Sequence, residues 1–114
     1  MRVLWVDDDE LVGGVVGDLL AELGHEVIWA ADGIAALDRL AQSGFDLLIT
    51  DVRLGRGGDG RSLAQLARQE RPSLPVIFMT GDDRVMVYAG DQLLRKPCTL
   101  GKLEAAISRV HAAG

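Results

Sequence analysis

Five short apolar segments alternate with amphipathic segments along this chain, and Gly or Pro residues separate them. This alternation is typical of strand and helix units repeated around a parallel sheet. The segments 45–50 and 76–80 are apolar almost throughout, as strands buried on both faces should be. The pattern predicts strands near 2–6, 26–30, 45–50, 75–79 and 92–95. The expected fold class is therefore α/β, with helices covering both faces of one sheet.

Helical spacing of apolar residues predicts a helix after each of four strands. The first spans about 10–23, begins after Asp9 and ends at Gly24, both favourable capping residues. The others follow Asp32, run from about 60 to 71, and follow Thr99. The residues expected to face the sheet are Leu11, Val12, Val15, Val16, Leu19, Leu20, Leu23, Ile34, Leu37, Leu40, Ala41, Leu63, Leu66, Ala67, Leu100, Leu103, Ala106, Ile107 and Val110.

Two segments are poorly suited to a full helix. About eleven residues, 81–91, join the fourth and fifth strands, which is near the minimum for a crossover between parallel strands. The fourth helix of the fold must therefore be shortened or absent. Gly13, Gly14 and Gly17 weaken the first helix by up to ~1 kcal/mol each relative to Ala, so tertiary packing must stabilise it.

Composition limits the classes of function. The 114 residues, 48% of them apolar and 25% charged, suit one globular domain, here taken as 1–114. A net charge of −5 with dispersed arginines argues against nucleic-acid binding. Neither a membrane span nor a secretory signal is evident, so we expect a soluble cytoplasmic domain. Cys98 is the only cysteine, which excludes an internal disulfide.

Acidic residues follow two of the predicted strands. Asp7, Asp8 and Asp9 come after the first strand, and Asp51 comes after the third. If these strands are neighbours, the carboxylates converge, and each like-charge pair ~4 Å apart costs about 4 kcal/mol at an effective dielectric near ~20. Oxygen-only carboxylate ligands suit Mg²⁺, which also binds waters and phosphate oxygens. The acids therefore predict a magnesium site for phosphoryl chemistry.

Further polar residues end the other strands at the same edge. Thr80 ends the fourth strand, and Lys96 with Pro97 ends the fifth. Ligands of open parallel α/β sheets bind beyond the carboxyl ends of the strands. Each residue alone has a simple structural explanation, as a helix cap, a turn residue, a strand end or a surface lysine. Their combination at one edge favours a functional site.

At this point the chain resembles a known family, the receiver domains of two-component response regulators. The segments VLWVDDDE, FDLLITDVRL, PVIFMTG and LLRKP carry the resemblance, in the order of that family, and it covers essentially the whole chain. It implies a doubly wound, flavodoxin-like sheet of five parallel strands in the order 2-1-3-4-5. It also implies that Asp51 is the phosphoacceptor, a carboxylate that acts as a covalent nucleophile. Asp7, Asp8, Asp51 and the backbone carbonyl of Arg53 would bind Mg²⁺.

The resemblance assigns roles to three other residues around the acceptor. Lys96 would add a compact positive charge, aimed into the pocket by a cis peptide bond to Pro97. Thr80 would turn inward and hydrogen-bond the phosphoryl oxygen. We also hypothesise that Arg53 and Asp82, at the rim of the pocket, pair across its mouth and screen the acyl phosphate from water.

Three features depart from the family pattern. Gly55 stands where receivers commonly have proline, with an apparent extra residue before Gly60, and Leu93 stands where they usually have an aromatic. The threonine-to-aromatic switch of the family therefore cannot be carried over. Together with the reduced fourth helix, the long loop favours receivers joined to hybrid histidine kinases over those of transcription factors.

We predict a signalling phosphoprotein rather than an enzyme, with at most self-phosphorylation and self-dephosphorylation. A histidine kinase or a histidine phosphotransfer domain of a phosphorelay would supply the phosphoryl group, and output would pass to a downstream protein or a linked domain. The alternative is a pseudo-receiver that is never phosphorylated and acts as a protein-binding module. A magnesium-dependent phosphatase would need an acid two residues after its nucleophile, where Arg53 stands.

Overall fold

The fold is a five-stranded parallel sheet with helices on both faces, seen in a computed structural model that describes residues 1–54, 58–82 and 91–113. The strands are β1 (Arg2–Val6), β2 (Glu26–Ala30), β3 (Leu47–Asp51), β4 (Val76–Thr80) and β5 (Gln92–Arg95). The helices are α1 (Glu10–Glu22), α2 (Gly33–Gln42), α3 (Gly60–Glu70) and α4 (Leu100–Ala113). The strands lie in the order β2-β1-β3-β4-β5. The predicted fold class and strand order are thus confirmed.

Two sequence predictions concern the segments 55–57 and 83–90. The helix expected to be shortened or absent, between β4 and β5, falls on residues 83–90, and Gly55 falls in 55–57. Both segments lie outside the described residues. Among the helices that the structure does describe, none combines the length and the apolar character needed to cross a bilayer.

Each face of the sheet carries its own hydrophobic core. Alternate residues of the central strands point to opposite faces, so Trp5 and Ile49 pack with α1 and α4, whereas Leu4 and Leu48 pack with α2 and α3. All five residues of β3 and of β4 are buried, as predicted for strands covered on both sides. The central strands are therefore packed on both faces up to the carboxyl edge, where the polar residues at their ends lie.

The helices bury narrower stripes than the sequence pattern suggested. Five residues predicted to face the sheet are exposed instead: Leu11, Val15, Ile34, Ala41 and Leu66. On α2 and α3 the small residues Ala36 and Ala64 take the buried positions. A helix that rests on a sheet contacts it through only part of its circumference, and these apolar segments are wider than that part.

Aspartates start three of the helices at the carboxyl edge of the sheet. Asp9 accepts hydrogen bonds from the first-turn N–H groups of α1, Asp32 caps α2, and Asp59 caps α3. Each side chain satisfies backbone donors that otherwise lack partners at a helix start. The side-chain hydrogen bonds from Arg61 also hold the pKa of Asp59 below its ordinary value. These caps fix where the helices begin, next to the strand ends.

Candidate metal and phosphoryl site

Three aspartates converge where β1 and β3 end. The two strands are neighbours, with Val6 opposite Thr50, so the residues that follow them lie side by side. Carboxylate oxygens of Asp7, Asp8 and Asp51 lie within 4.8 Å of one another. Asp7 and Asp51 are buried, whereas Asp8 is exposed to solvent. The structure thus brings together the acids that the sequence singled out.

Lys96 reaches into this cluster from the end of β5. Its Nζ lies 2.8 Å from Oδ2 of Asp51 and 3.6 Å from Oδ2 of Asp7; the first contact is a hydrogen bond, and the second is too long for one. The Lys96–Pro97 peptide bond is cis, and the Lys96 N–H donates to the carbonyl of Thr80. Burial lowers the pKa of Lys96, but the hydrogen bond and charge of Asp51, with the charge of Asp7, raise it above its ordinary value overall. Lys96 is therefore a stable cation.

The side chain of Asp7 has one oxygen engaged and one oxygen unsatisfied. Oδ1 accepts a hydrogen bond of 2.9 Å from the Asp9 N–H, whereas the buried Oδ2 has no hydrogen-bond donor in the described part of the chain. Burial raises the pKa of Asp7, and the nearby charges of Asp51 and Asp8 add to that effect. A buried carboxylate oxygen that lacks a donor is unfavourable. A divalent cation bound between the three acids would satisfy it, so the donor set fits Mg²⁺.

Thr80 ends β4, and Arg53 and Asp82 each lie two residues after the ends of the neighbouring strands β3 and β4. The buried hydroxyl oxygen of Thr80 accepts a hydrogen bond of 3.0 Å from the Asp82 N–H. The Arg53 guanidinium lies 3.2 Å from the Asp82 carboxylate, so the two rim residues are paired in the structure. Arg95 donates to the Asp82 carbonyl at 3.1 Å. Asp82, two residues after Thr80, is thereby connected to the segment that follows β3 and to the last residue of β5.

Sequence reasoning missed Gly60, which packs directly on the backbone of Asp51. A β-carbon at position 60 would lie 2.1 Å from the Asp51 carbonyl oxygen, a distance that no side chain tolerates. The Gly60 N–H also donates to the Val52 carbonyl at 2.7 Å. The only sequence signal was a glycine next to an aspartate cap at the start of a helix. Gly60 allows α3 to begin against the strand that carries Asp51.

Sequence reasoning also missed Trp29, whose indole N–H donates to the carbonyl of Asp7 at 2.9 Å. Trp29 lies on β2 directly beside Trp5 on β1. The sequence showed only a second tryptophan near the end of a predicted strand. That its indole reaches Asp7 depends on the register between β1 and β2, which the sequence does not give. The contact connects β2 to the first acid of the cluster.

The strand order and the acidic cluster define a class of doubly wound proteins with a charged site at the carboxyl edge of the sheet. The response regulator receiver domain matches residues 3–108 of this chain. The chain belongs to this family, the receiver domains of two-component systems. The family recognised from the sequence motifs is thereby confirmed.

Relatives of the chain include response regulators and hybrid kinases. It is 33% identical over 113 residues to the response regulator PmrA of Pseudomonas aeruginosa, covering 94% of this chain and 51% of PmrA. It is 32% identical over 114 residues to the sensor histidine kinase RcsC of Salmonella typhi, covering 95% of this chain and 12% of RcsC. The chain thus spans about half, or much less, of these relatives. The receiver domain of the hybrid histidine kinase CckA superposes with a TM-score of 0.84 at 34% identity, covering 96% and 98% of the two chains.

Proposed function

We propose that Asp51 accepts a phosphoryl group, with Mg²⁺, from a phosphohistidine of a histidine kinase or of a histidine phosphotransfer domain. The observation that carries this proposal is the charge imbalance of the site. Three carboxylates meet within 4.8 Å, Lys96 contacts two of them, and Asp7 Oδ2 is buried without a hydrogen-bond donor in the described residues. Such an arrangement is unfavourable by itself and becomes favourable when a cation and a phosphoryl group bind.

The transfer requires a carboxylate that is oriented and accessible from the pocket mouth. Lys96 holds Oδ2 of Asp51, so the other carboxylate oxygen attacks phosphorus. An O–P bond forms, the P–N bond of the phosphohistidine breaks, and the leaving imidazole takes up a proton. Mg²⁺, held by Asp7, Asp8, Asp51 and the backbone carbonyl of Arg53, would supply positive charge to the phosphoryl oxygens. Lys96 adds a fixed positive charge beside the acceptor.

The signal would leave the site through Thr80. Its hydroxyl can donate to a phosphoryl oxygen on Asp51, but its oxygen is tied to the Asp82 N–H at 3.0 Å. A shift of Thr80 towards Asp51 therefore pulls on Asp82, whose carbonyl is bound by Arg95 and whose carboxylate is bound by Arg53. This route from the acceptor to β5 does not need an aromatic residue at Leu93. It biases an existing two-state equilibrium, as a change of local charge can.

The output of the switch would pass to another domain or protein. The family is a signalling module, and the relatives PmrA and RcsC are both longer than this chain. We therefore propose that phosphorylation changes contacts with a linked domain or a downstream protein, and that catalysis is confined to self-phosphorylation and self-dephosphorylation.

Intact-mass analysis after incubation with acetyl phosphate and Mg²⁺ tests the proposal. The expected result is a gain of one phosphoryl group that disappears in Asp51→Asn and when Mg²⁺ is chelated. Asp18→Asn, which removes an exposed aspartate from α1, is the matched control and should retain the gain. No gain in the unmodified chain would contradict the proposal and favour the pseudo-receiver that only binds protein.

A further inference from the structure

Asp7 is fixed at three of its four polar atoms. Its backbone N–H donates to the Ala30 carbonyl at 3.2 Å, and its backbone carbonyl accepts the indole N–H of Trp29 at 2.9 Å. Its Oδ1 accepts the Asp9 N–H at 2.9 Å. Only Oδ2 is left to face Asp51 and Lys96. Two of the three bonds come from the last residues of β2, so β2 sets the orientation of this peptide.

The indole of Trp29 packs against helix α1 at Gly13, where no side chain is present. A β-carbon at position 13 would lie 2.9 Å from Nε1 of Trp29, so only glycine leaves room for the ring there. The buried indole of Trp5 donates to the carbonyl of the same Gly13 at 3.2 Å. Gly13, which weakens the helix by its propensity, thus allows α1, β1 and β2 to meet around the acidic loop.

Burial is a weak explanation for a tryptophan at position 29. The residue is 39% exposed, so a large part of its apolar ring remains in water. Its indole N–H, in contrast, makes one directed bond to the residue that supplies a metal ligand. Trp29 therefore contributes through the position of its N–H more than through the area that it buries.

We infer that Trp29 is a positioning residue for the metal and phosphoryl site, acting through the backbone carbonyl of Asp7. This inference rests on the proposed function, since it assigns Trp29 a role in binding Mg²⁺. Hydrogen bonds that orient a ligating carboxylate contribute to metal affinity. When the indole N–H is removed, the peptide of Asp7 gains freedom to rotate, and Oδ2 no longer stays aimed at Asp51.

The first test is the Mg²⁺ dissociation constant of the full chain, measured by titration calorimetry. Trp29→Phe keeps an aromatic ring and removes the donor, and it should weaken binding about three- to tenfold, the effect of one net hydrogen bond. Gly13→Ala keeps the indole but displaces it, and it should weaken binding in the same direction. Gly14→Ala is the matched control on the same helix; a β-carbon there meets nothing within 4 Å, so affinity should not change.

The second test is spectroscopic and uses the two tryptophans of the chain. Fluorotryptophan labelling gives two ¹⁹F resonances, which Trp29→Phe assigns. The Trp29 resonance should shift with Mg²⁺, with a midpoint that matches the calorimetric dissociation constant. A tryptophan that only supports the fold would not follow the metal in this way.

The outcomes separate this inference from the proposed function. If the unmodified chain binds no Mg²⁺, the metal site and this inference are both wrong. If it binds Mg²⁺ but Trp29→Phe and Gly13→Ala bind equally well, only the inference is wrong. Thermal unfolding of each variant identifies any that does not fold. If Trp29→Phe does not fold, the Mg²⁺ affinity of Gly13→Ala and the ¹⁹F titration of the unmodified chain decide whether Trp29 positions the site.

Discussion

Carboxylates are buried at both edges of the sheet, but their charge balance differs. At the amino edge, Asp91 accepts two hydrogen bonds from the Arg68 guanidinium, at 2.8 and 3.1 Å, so one anion meets one cation in a bidentate pair. At the carboxyl edge, three carboxylates cluster and Lys96 contacts two of them, Asp51 and Asp7, while one buried oxygen of Asp7 has no hydrogen-bond donor in the described part of the chain.

This difference separates a structural ion pair from a binding site. The Arg68 guanidinium and the Asp91 carboxylate balance each other's charge, and Arg68 also donates a hydrogen bond to the Leu74 carbonyl. The acidic cluster has three carboxylates beside a single lysine among the described contacts, so it keeps an excess of negative charge. Removing a carboxylate should therefore lower the free energy of unfolding when it is done at the amino edge and raise it when it is done at the carboxyl edge.

The largest effect is expected at the amino edge. Asp91→Asn leaves Arg68 without its counter-charge and should lower the free energy of unfolding by about 2–3 kcal/mol, less than for a fully buried pair because the Arg68 side chain is 29% exposed. Urea denaturation with and without Mg²⁺ measures the loss, which should be the same in both. A stability equal to that of the Asp18→Asn control would contradict the assignment of this pair as structural.

At the carboxyl edge the equivalent change should have the opposite sign. Asp7→Asn removes a buried like charge and should raise the free energy of unfolding by about 1 kcal/mol in Mg²⁺-free buffer. If Mg²⁺ binds as proposed, it should stabilise the unmodified chain and have a smaller effect on the variant. Urea denaturation at several Mg²⁺ concentrations measures both effects. A destabilised Asp7→Asn would remove the contrast between the two edges.

The advantage of Asp7→Asn should disappear at low pH. Because burial raises the pKa of Asp7 above 3.8, the folded chain binds this proton more tightly than the unfolded chain does. The unmodified chain therefore gains stability relative to Asp7→Asn as the pH falls through the raised pKa towards 3.8. Asp59, whose pKa Arg61 lowers, acts in the opposite direction but is common to both proteins. Denaturation in Mg²⁺-free buffer across this range measures the difference, and a gap that widens at low pH would contradict it.

The smallest effect is expected at the rim. The Arg53 side chain is 77% exposed, so breaking its pair with Asp82 should change stability by no more than about 0.5 kcal/mol. If the pair screens water, Arg53→Ala and Asp82→Ala should each shorten the half-life of the acyl phosphate by about two- to threefold. The decay of the phosphorylated mass after removal of the donor measures this. Unchanged half-lives in both variants would rule out the screen.

The fold could be predicted because its signals are local. Aspartate caps, and glycine or proline after several of the elements, place the boundaries, and continuous apolar segments indicate strands buried on both sides. The inward faces of the helices were harder to predict. Leu11 and Ile34 are apolar and correctly spaced, yet both are exposed, because the width of the contact depends on how each helix is set on the sheet.

The acidic cluster could also be predicted, since strand ends meet at one edge of a parallel sheet whatever the details. The supporting contacts of Gly60 and Trp29 could not. Each depends on how two separate elements approach each other, residue 60 on α3 against 51 on β3 and residue 29 on β2 against Asp7 after β1, which only the assembled sheet defines. Gly13 is a similar case. From the sequence it only weakens helix α1, whereas in the structure its missing side chain leaves room for the indole of Trp29.

Gly60 has a consequence for how this domain can diverge. Because any side chain at that position would overlap the carbonyl of Asp51, a substitution there must displace either α3 or the backbone of residue 51. Position 58, where glycine adopts a φ of 81°, tolerates asparagine far better, since that residue enters the left-handed region at modest cost. Position 60 therefore requires glycine for as long as residue 51 keeps its place, whereas position 58 can accept asparagine.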